Sequence, residues 1–394
     1  MILLLLICLS MTGFAADSLT FIAHPDWHAG DLELGLVQPS NGTFAIQDTI
    51  LSDMQQFDAK YILLSGDMID GLWLTNTGEG RSGEILERKA CLKDKFAPGA
   101  SNDELVLACG KVVYDGLNAR FRRFGLEPIA AVGDHEVGDQ NWTRGSPRAN
   151  SVDAFKDAFA RAYTLDAGGK PLYNGRIGSV PQRPVNTPYE HTAYAFTDQN
   201  VLFVTLDVYR YEGPQTTLHE KSGVVSIELG PEQAEWLDAL LTETAKMHEI
   251  QFTVVQAHNP AMLPIRKVQT SCMMMNDREN SRLWKLLTQH DVDVYFSGEV
   301  HALTPQVDGT TAHIICGSFL GNTAHNYLVC TATDRRLLMQ AREKVGDGSR
   351  YIYETTGEML IDKSSGDKQI TGSGRLAPLD LQRGGAGAPV PAFE

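Results

Sequence analysis

Six short runs of mostly β-branched and aliphatic residues punctuate the chain, at 19–23, 61–65, 128–132, 201–206, 252–256 and 292–297. Each is too short for a helix and largely apolar, the pattern of strands buried on both faces. Between them the hydrophobic period lengthens to that of helices. Gly230-Pro231-Glu232-Gln233 opens one. Pro231 suits a first helical turn, and Trp236, Leu237, Leu240 and Leu241 fall on one face. Residues 153–163 and 276–290 carry the same spacing, and 115–124 predict a helix that covers a sheet. Strands alternating with helices predict an α/β class with helix-covered sheets.

The pattern breaks in four places. Stretches 71–110 and 138–189 are polar and predict insertions that wall a pocket. Residues 375–394, with Gly384-Gly385-Ala386-Gly387, lack periodicity and predict a flexible tail. At the other end, Leu3-Leu4-Leu5-Leu6-Ile7 precedes small residues at Gly13, Ala15 and Ala16. That order predicts a signal peptide over 1–15 and a secreted or periplasmic chain, leaving one domain over 16–374.

A formal net charge of -15 on 394 residues makes the surface repel nucleic-acid phosphates, so duplex binding is not expected. It leaves open a small phosphate compound held through cations, whose charge dominates locally. No run after residue 20 is long enough to span a membrane. Beyond Cys8 there are five cysteines, an odd number that leaves at least one thiol unpaired within the chain. Cys91 with Cys109, and Cys316 with Cys330, are the neighbours along the chain. No Cys-x-x-Cys spacing supports a structural zinc site.

Five polar clusters follow the apolar runs: Asp26-Trp27-His28, Gly66-Asp67-Met68-Ile69-Asp70, Gly133-Asp134-His135-Glu136, Ala257-His258 and Gly298-Glu299-Val300-His301. Only the run ending at Asp207 leads to none. Singly, each Asp reads as a helix cap and each His as a core residue. Together, at the carboxyl ends of strands where α/β sites gather, they read as a metal shell.

In this order the clusters resemble the DxH, GDxxD, GNH[ED], H and GHxH motifs of the calcineurin-like metallophosphoesterase superfamily, which includes purple acid phosphatases and phosphodiesterases. The resemblance covers roughly residues 19 to 330. It implies a four-layer α/β/β/α sandwich of two mixed sheets flanked by helices. It also implies two divalent or trivalent ions (Mn, Fe, Zn, Mg or Ca) and hydrolysis of phosphate mono- or diesters by a metal-bridging hydroxide. Carried across, Asp26, His28 and His301 would bind the first ion, Asp67 would bridge, and Asp134, His258 and Glu299 would bind the second. His135 would protonate the leaving oxygen or hold the phosphate, with Asp70 orienting its ring.

Two positions depart from the pattern. Asp134 stands where asparagine is usual and Glu299 where histidine is usual, so the second site gains two carboxylates. Oxygen-rich donors favour hard ions over zinc and tilt preference towards less charged esters. Arg144 and Arg148 have the chemistry to pair with phosphate. A competing reading is a relative that binds metal or a phosphate ligand without turnover. His24, Trp27, His313 and His325 are further candidates for substrate contact, Trp27 reading as packed against the site, and Met273-Met274-Met275 beside Cys272 reads as core or pocket lining.

Overall fold

The predicted buried runs pair edge to edge into two sheets. In the computed structural model, residues 18–28, 43–74, 100–139, 142–218, 223–263, 265–266, 271–318, 325–345 and 352–379 are described. The expected signal peptide, Cys91 and residues 380–394 lie outside them. In chain order come β1 (Leu19–Ala23), α1 (Thr43–Gln55), β2 (Tyr61–Leu64), α2 (Asn102–Arg123), β3 (Glu127–Ala130), α3 (Pro147–Asn150) and α4 (Val152–Tyr163). Then follow β4 (Arg176–Ile177), β5 (Val180–Pro181), β6 (Tyr194–Asp198), β7 (Val201–Thr205), β8 (Tyr209–Tyr211), β9 (Val225–Ile227), α5 (Pro231–Thr244) and β10 (Phe252–Gln256). Last are α6 (Arg282–Gln289), β11 (Val294–Ser297), β12 (Thr304–Asp308), β13 (Thr311–Ile315), β14 (Asn326–Ala332), β15 (Arg336–Val345), β16 (Ile352–Asp362) and β17 (Gln369–Gly374).

One sheet runs β17-β16-β15-β14-β1-β2-β3 and the other β12-β13-β11-β10-β7-β6. Both are mixed. β1, β2 and β3 are mutually parallel, as are β7, β10, β11 and β13, while the flanking strands are antiparallel. Alternate side chains of each parallel group point to opposite faces. Phe21, Leu63, Phe203, Val254 and Phe296 meet in a core built between the sheets. Ile22, Ile62 and Leu64 face outward onto helical residues such as Leu51, Leu117 and Phe155, and Val255 and Tyr295 share the outer core with Leu237, Leu240 and Trp284. The result is the expected four layers. Gln256 pins the sheets together at their carboxyl ends, its Nε2 donating to Ile129 O at 3.0 Å while Ser65 Oγ donates to its Oε1 at 3.1 Å.

Local chemistry moved several boundaries. α2 starts at Asn102, inside the expected 71–110 insertion, because Ser101 and Glu104 form a reciprocal capping box. The helix expected over 276–290 starts only at Arg282. Asp277 and Arg278 have φ of 62° and 47°, and Ser281 Oγ accepts from Trp284 N. Residues 375–379 are packed rather than loose: Leu376 is buried and Arg375 Nε pairs with Glu343 at 3.0 Å. Cys316 and Cys330 are free buried thiols, not a bridge. No helix among the described residues is long and apolar enough to cross a membrane.

His313 belongs to the core, stacked on Tyr295 at 5.1 Å and hydrogen-bonded to Ser297 Oγ at 3.0 Å. Burial pushes its pKa down to about 3. Below its ordinary 6.5 the unfolded chain therefore binds a proton that the folded chain refuses, and stability falls as pH drops from 6.5 towards 3. His313→Leu should flatten the pH dependence of urea unfolding over that range by about 1.4 kcal/mol per pH unit. Parallel wild-type and variant curves would mean that the ring titrates normally in the fold.

Candidate metal centre

Five loops at the carboxyl ends of β1, β2, β3, β10 and β11 converge, and backbone hydrogen bonds stitch them together. Asp26 N donates to Gly66 O at 3.1 Å, His28 N to Asp67 O at 2.9 Å, and Gly298 N to His258 O at 2.9 Å. Glu299 N donates to Asp26 Oδ1 at 2.9 Å. The loops are tight enough that Asp26, His28, Asp67, Glu299 and His301 all take positive φ, between 47° and 68°. That region is uncommon outside glycine, and residues held there cluster at functional sites. The approach of the chains also demands small neighbours. A Cβ on Gly133 would lie 2.2 Å from Asp67 Oδ1, and one on Gly66 2.6 Å from His258 Nδ1.

Four groups of donor atoms result among the described residues, every atom within 4.8 Å of the others in its group, and two of them together hold the expected ligands. One is Asp26, His28 and His301; the other is Asp67, Asp134, His258 and Glu299, and all seven residues are buried. Asp67 Oδ2 faces both groups, 3.9 Å from His28 Nε2 and 3.1 Å from His258 Nε2. His258 Nδ1 donates to Ser65 O at 2.8 Å, which fixes the tautomer and aims Nε2 at Asp67, Asp134 and Glu299. His28 is oriented likewise, Nδ1 on Asp70 Oδ1 at 3.2 Å and Nε2 3.3 Å from His301 Nε2.

The residues fit bound cations. Asp26 Oδ2 is buried without a hydrogen-bond partner, and Asp134 Oδ1 and His258 Nε2 are buried with ion-pair contacts only inside their own group. Burial raises the Asp67 carboxyl, reinforced by Asp134, and it raises Glu299 to about 7, again reinforced by Asp134. Burial pulls the His258 and His135 rings down, but the surrounding carboxylates outweigh it and hold both well above the ordinary value. The pocket draws positive charge to itself. Its oxygen-rich half suits a hard ion, and its His28/His301 half a borderline one.

His135 lies beside Asp67, Nε2 to Oδ2 at 3.8 Å, but its partnership with Asp70 differs from the expected one. The Asp70 carboxylate turns to His28. It is the Asp70 carbonyl that accepts from His135 Nδ1, at 2.6 Å. Arg148 is 3.8 Å from Asp139 Oδ2 and donates to Gly138 O, while the exposed Arg144 donates to the Thr217 hydroxyl. Both arginines thus have protein partners. Trp27 is buried edge-on against Phe121 at 4.8 Å.

Three groups near the centre have no single-residue signal in the sequence. Glu136 is wholly buried, and its carboxylate accepts from Asp67 N at 2.7 Å, Gly133 N at 2.8 Å, Met68 N at 2.9 Å and Ile69 N at 3.3 Å. It straps the β2 loop to the β3 loop. Glu299 Oε1 accepts from the Ser271 hydroxyl and from Met273 N at 2.9 Å, so a segment without ligands sets that carboxylate. Asp139 Oδ1 stands 3.8 Å from His135 Nε2. Its i,i+4 spacing from His135 was the available clue.

No protein-family model and no curated protein matches the sequence. Solved structures do. The chain aligns with PhoD at TM-score 0.52 and 16% identity, over 93% of this chain and 73% of that one. It aligns with purple acid phosphatase PPD1 from yellow lupin (Lupinus luteus) seeds at TM-score 0.50 and 12% identity, over 88% of this chain and 54% of that one. The chain therefore spans about half the length of the lupin protein.

Glu136→Ala would orphan four buried amides at once. It should lower unfolding free energy by about 3 kcal/mol or more in urea titration, and a loss under about 1 kcal/mol would show that the strap is dispensable. The two facing mixed sheets, their helical covers and the loops gathered at one end give this chain a fold shared with PhoD and with the lupin purple acid phosphatase.

Proposed function

We propose that the chain is a metal-dependent phosphoesterase acting on phosphate mono- or diesters, secreted or periplasmic as residues 1–15 suggest. One observation carries the reading: two buried donor groups meet at a shared carboxylate, Asp67, on this fold. Asp26, His28 and His301 would hold one ion and Asp134, His258 and Glu299 the other. Bound there, two ions supply Lewis acidity to a phosphoryl oxygen and lower the pKa of water.

The chain's own groups do the rest. Asp67 Oδ2, between the two groups, would help hold both ions. His135 has its Nδ1 proton committed to the Asp70 carbonyl, so Nε2 is the atom that carries a proton to the leaving oxygen. Asp139, beside that nitrogen, favours its protonated form, and Arg148 holds Asp139 in turn. The buried walls exclude bulk water from the charges, which strengthens each interaction.

A non-catalytic binder would share this shell, and the extra carboxylates Asp134 and Glu299 favour that alternative. The two readings separate in assays of p-nitrophenyl phosphate and bis(p-nitrophenyl) phosphate with Mn, Mg, Ca and Zn. Turnover with at least one ion is expected, and His135→Gln should reduce kcat by about 10²–10⁴-fold with ion content unchanged. Stoichiometric ion binding without turnover of either ester would identify a binder. Competitive loading followed by metal analysis tests the second site. The wild type should retain a hard ion there, and Glu299→His should shift content towards zinc. Zinc filling both sites of the wild type would rule out the hard-ion assignment.

A further inference from the structure

Strand β7, like β13, delivers no ligand, yet Asp207 just beyond its end is held with unusual firmness. Asp207 is buried, and its Oδ2 accepts from Lys156 Nζ at 2.6 Å and from Thr192 Oγ1 at 2.7 Å. Gln233 pairs with the Asp207 backbone, accepting from N at 2.9 Å and donating to O at 2.7 Å. Tyr209 N donates to Asp207 Oδ1 at 3.0 Å, and Lys156 Nζ donates to Tyr209 O at 2.7 Å. These bonds fix the Tyr209 backbone from both sides.

The Tyr209 side chain is fully buried, its ring 5.9 Å from Trp142 and 6.4 Å from the ligand-group ring of His258. Its hydroxyl has no hydrogen-bond partner. Burial, then the charges of Asp134, Asp67 and Glu299, push the phenol well above its ordinary pKa, so the group keeps its proton. A buried O–H without a hydrogen-bond partner thus sits on a backbone fixed from both sides, its ring next to the ligand-group ring of His258. Buried hydroxyls are ordinarily paired.

We propose that Tyr209 is a positioning residue of the second site, its hydroxyl donating a hydrogen bond to an oxygen held there by the ion that Asp67, Asp134, His258 and Glu299 bind. The inference rests on the metal-dependent reading above. The oxygen belongs to water or to a phosphoryl group. For a phosphoryl group, a neutral donor offsets the repulsion that this carboxylate-rich wall exerts on a bound oxyanion.

Tyr209→Phe in the full chain tests the assignment through stability and binding. With EDTA the variant should melt about 2 °C higher than wild type, because an unpaired buried hydroxyl has been removed. With saturating Mn and inorganic phosphate the order should reverse, and calorimetry should show binding weakened about 10-fold. Weaker Mn binding without phosphate assigns the oxygen to water. Weaker phosphate binding with Mn affinity unchanged assigns it to the phosphoryl group. Identical Mn and phosphate isotherms for the two proteins overturn the role of Tyr209 alone. Failure of the wild type to bind Mn overturns the metal reading and this inference with it.

Discussion

The Glu136 carboxylate is the constraint on which the centre depends. Four backbone amides from two loops point at it, three of them at consecutive positions, Asp67 to Ile69. With those amides satisfied, the β2 loop can turn sharply enough to put Asp67 between the two donor groups. Asp67 then accepts from His135 N through Oδ1 and presents Oδ2 inward. Its carbonyl receives His28 N, which places the β1 loop. From there Asp26 reaches Glu299 N, and His258 reaches both Ser65 O and Gly298 N. The ligands are therefore positioned mainly by each other's backbones, and a disturbance at one loop reaches all five.

Sheet-on-sheet packing makes that ring possible. β1, β2 and β3 bring three clusters from one sheet, β10 and β11 two from the other, and the apolar layer between them holds the ends at a fixed spacing. Gln256 and the Tyr194 hydroxyl, which donates to Ala130 O at 2.9 Å, cross between sheets close to the site. Burying four carboxylates beneath such a scaffold is costly unless cations accompany them. Without ions the histidines bear that burden, which is why His258, His135 and His301 are all drawn upward in pKa.

Much of this was legible in the sequence because ligand, strand and turn sit within a few consecutive residues of each other. The six apolar runs became β1, β2, β3, β7, β10 and β11 to within two residues at either end. The outer strands were not legible. Residues 336–345, RLLMQAREKV, are nearly all good helix formers, yet they make β15. Pairing on both sides with β14 and β16, and burial of Leu337, Met339 and Ala341 on one face, override that preference. Glu136 could be seen as part of a motif, but its partners lie up to 69 residues earlier. Separations of 26 to 42 residues likewise hid the Ser271 and Met273 contacts to Glu299 and the turn of the Asp70 carboxylate to His28.

The left-handed backbone at Asp26, His28, Asp67, Glu299 and His301 adds a filter of its own. Asparagine, aspartate and histidine tolerate that region better than other residues with a Cβ, whereas β-branched side chains resist it. Coordination chemistry asks for much the same short polar set. Two unrelated demands, one steric and one electronic, thus narrow the alphabet at these positions together. Glu299 is the exception, a longer side chain in the same conformation, and it is the ligand whose carboxylate is braced from outside by Ser271 and Met273. The added length of this ligand is carried by a neighbouring segment.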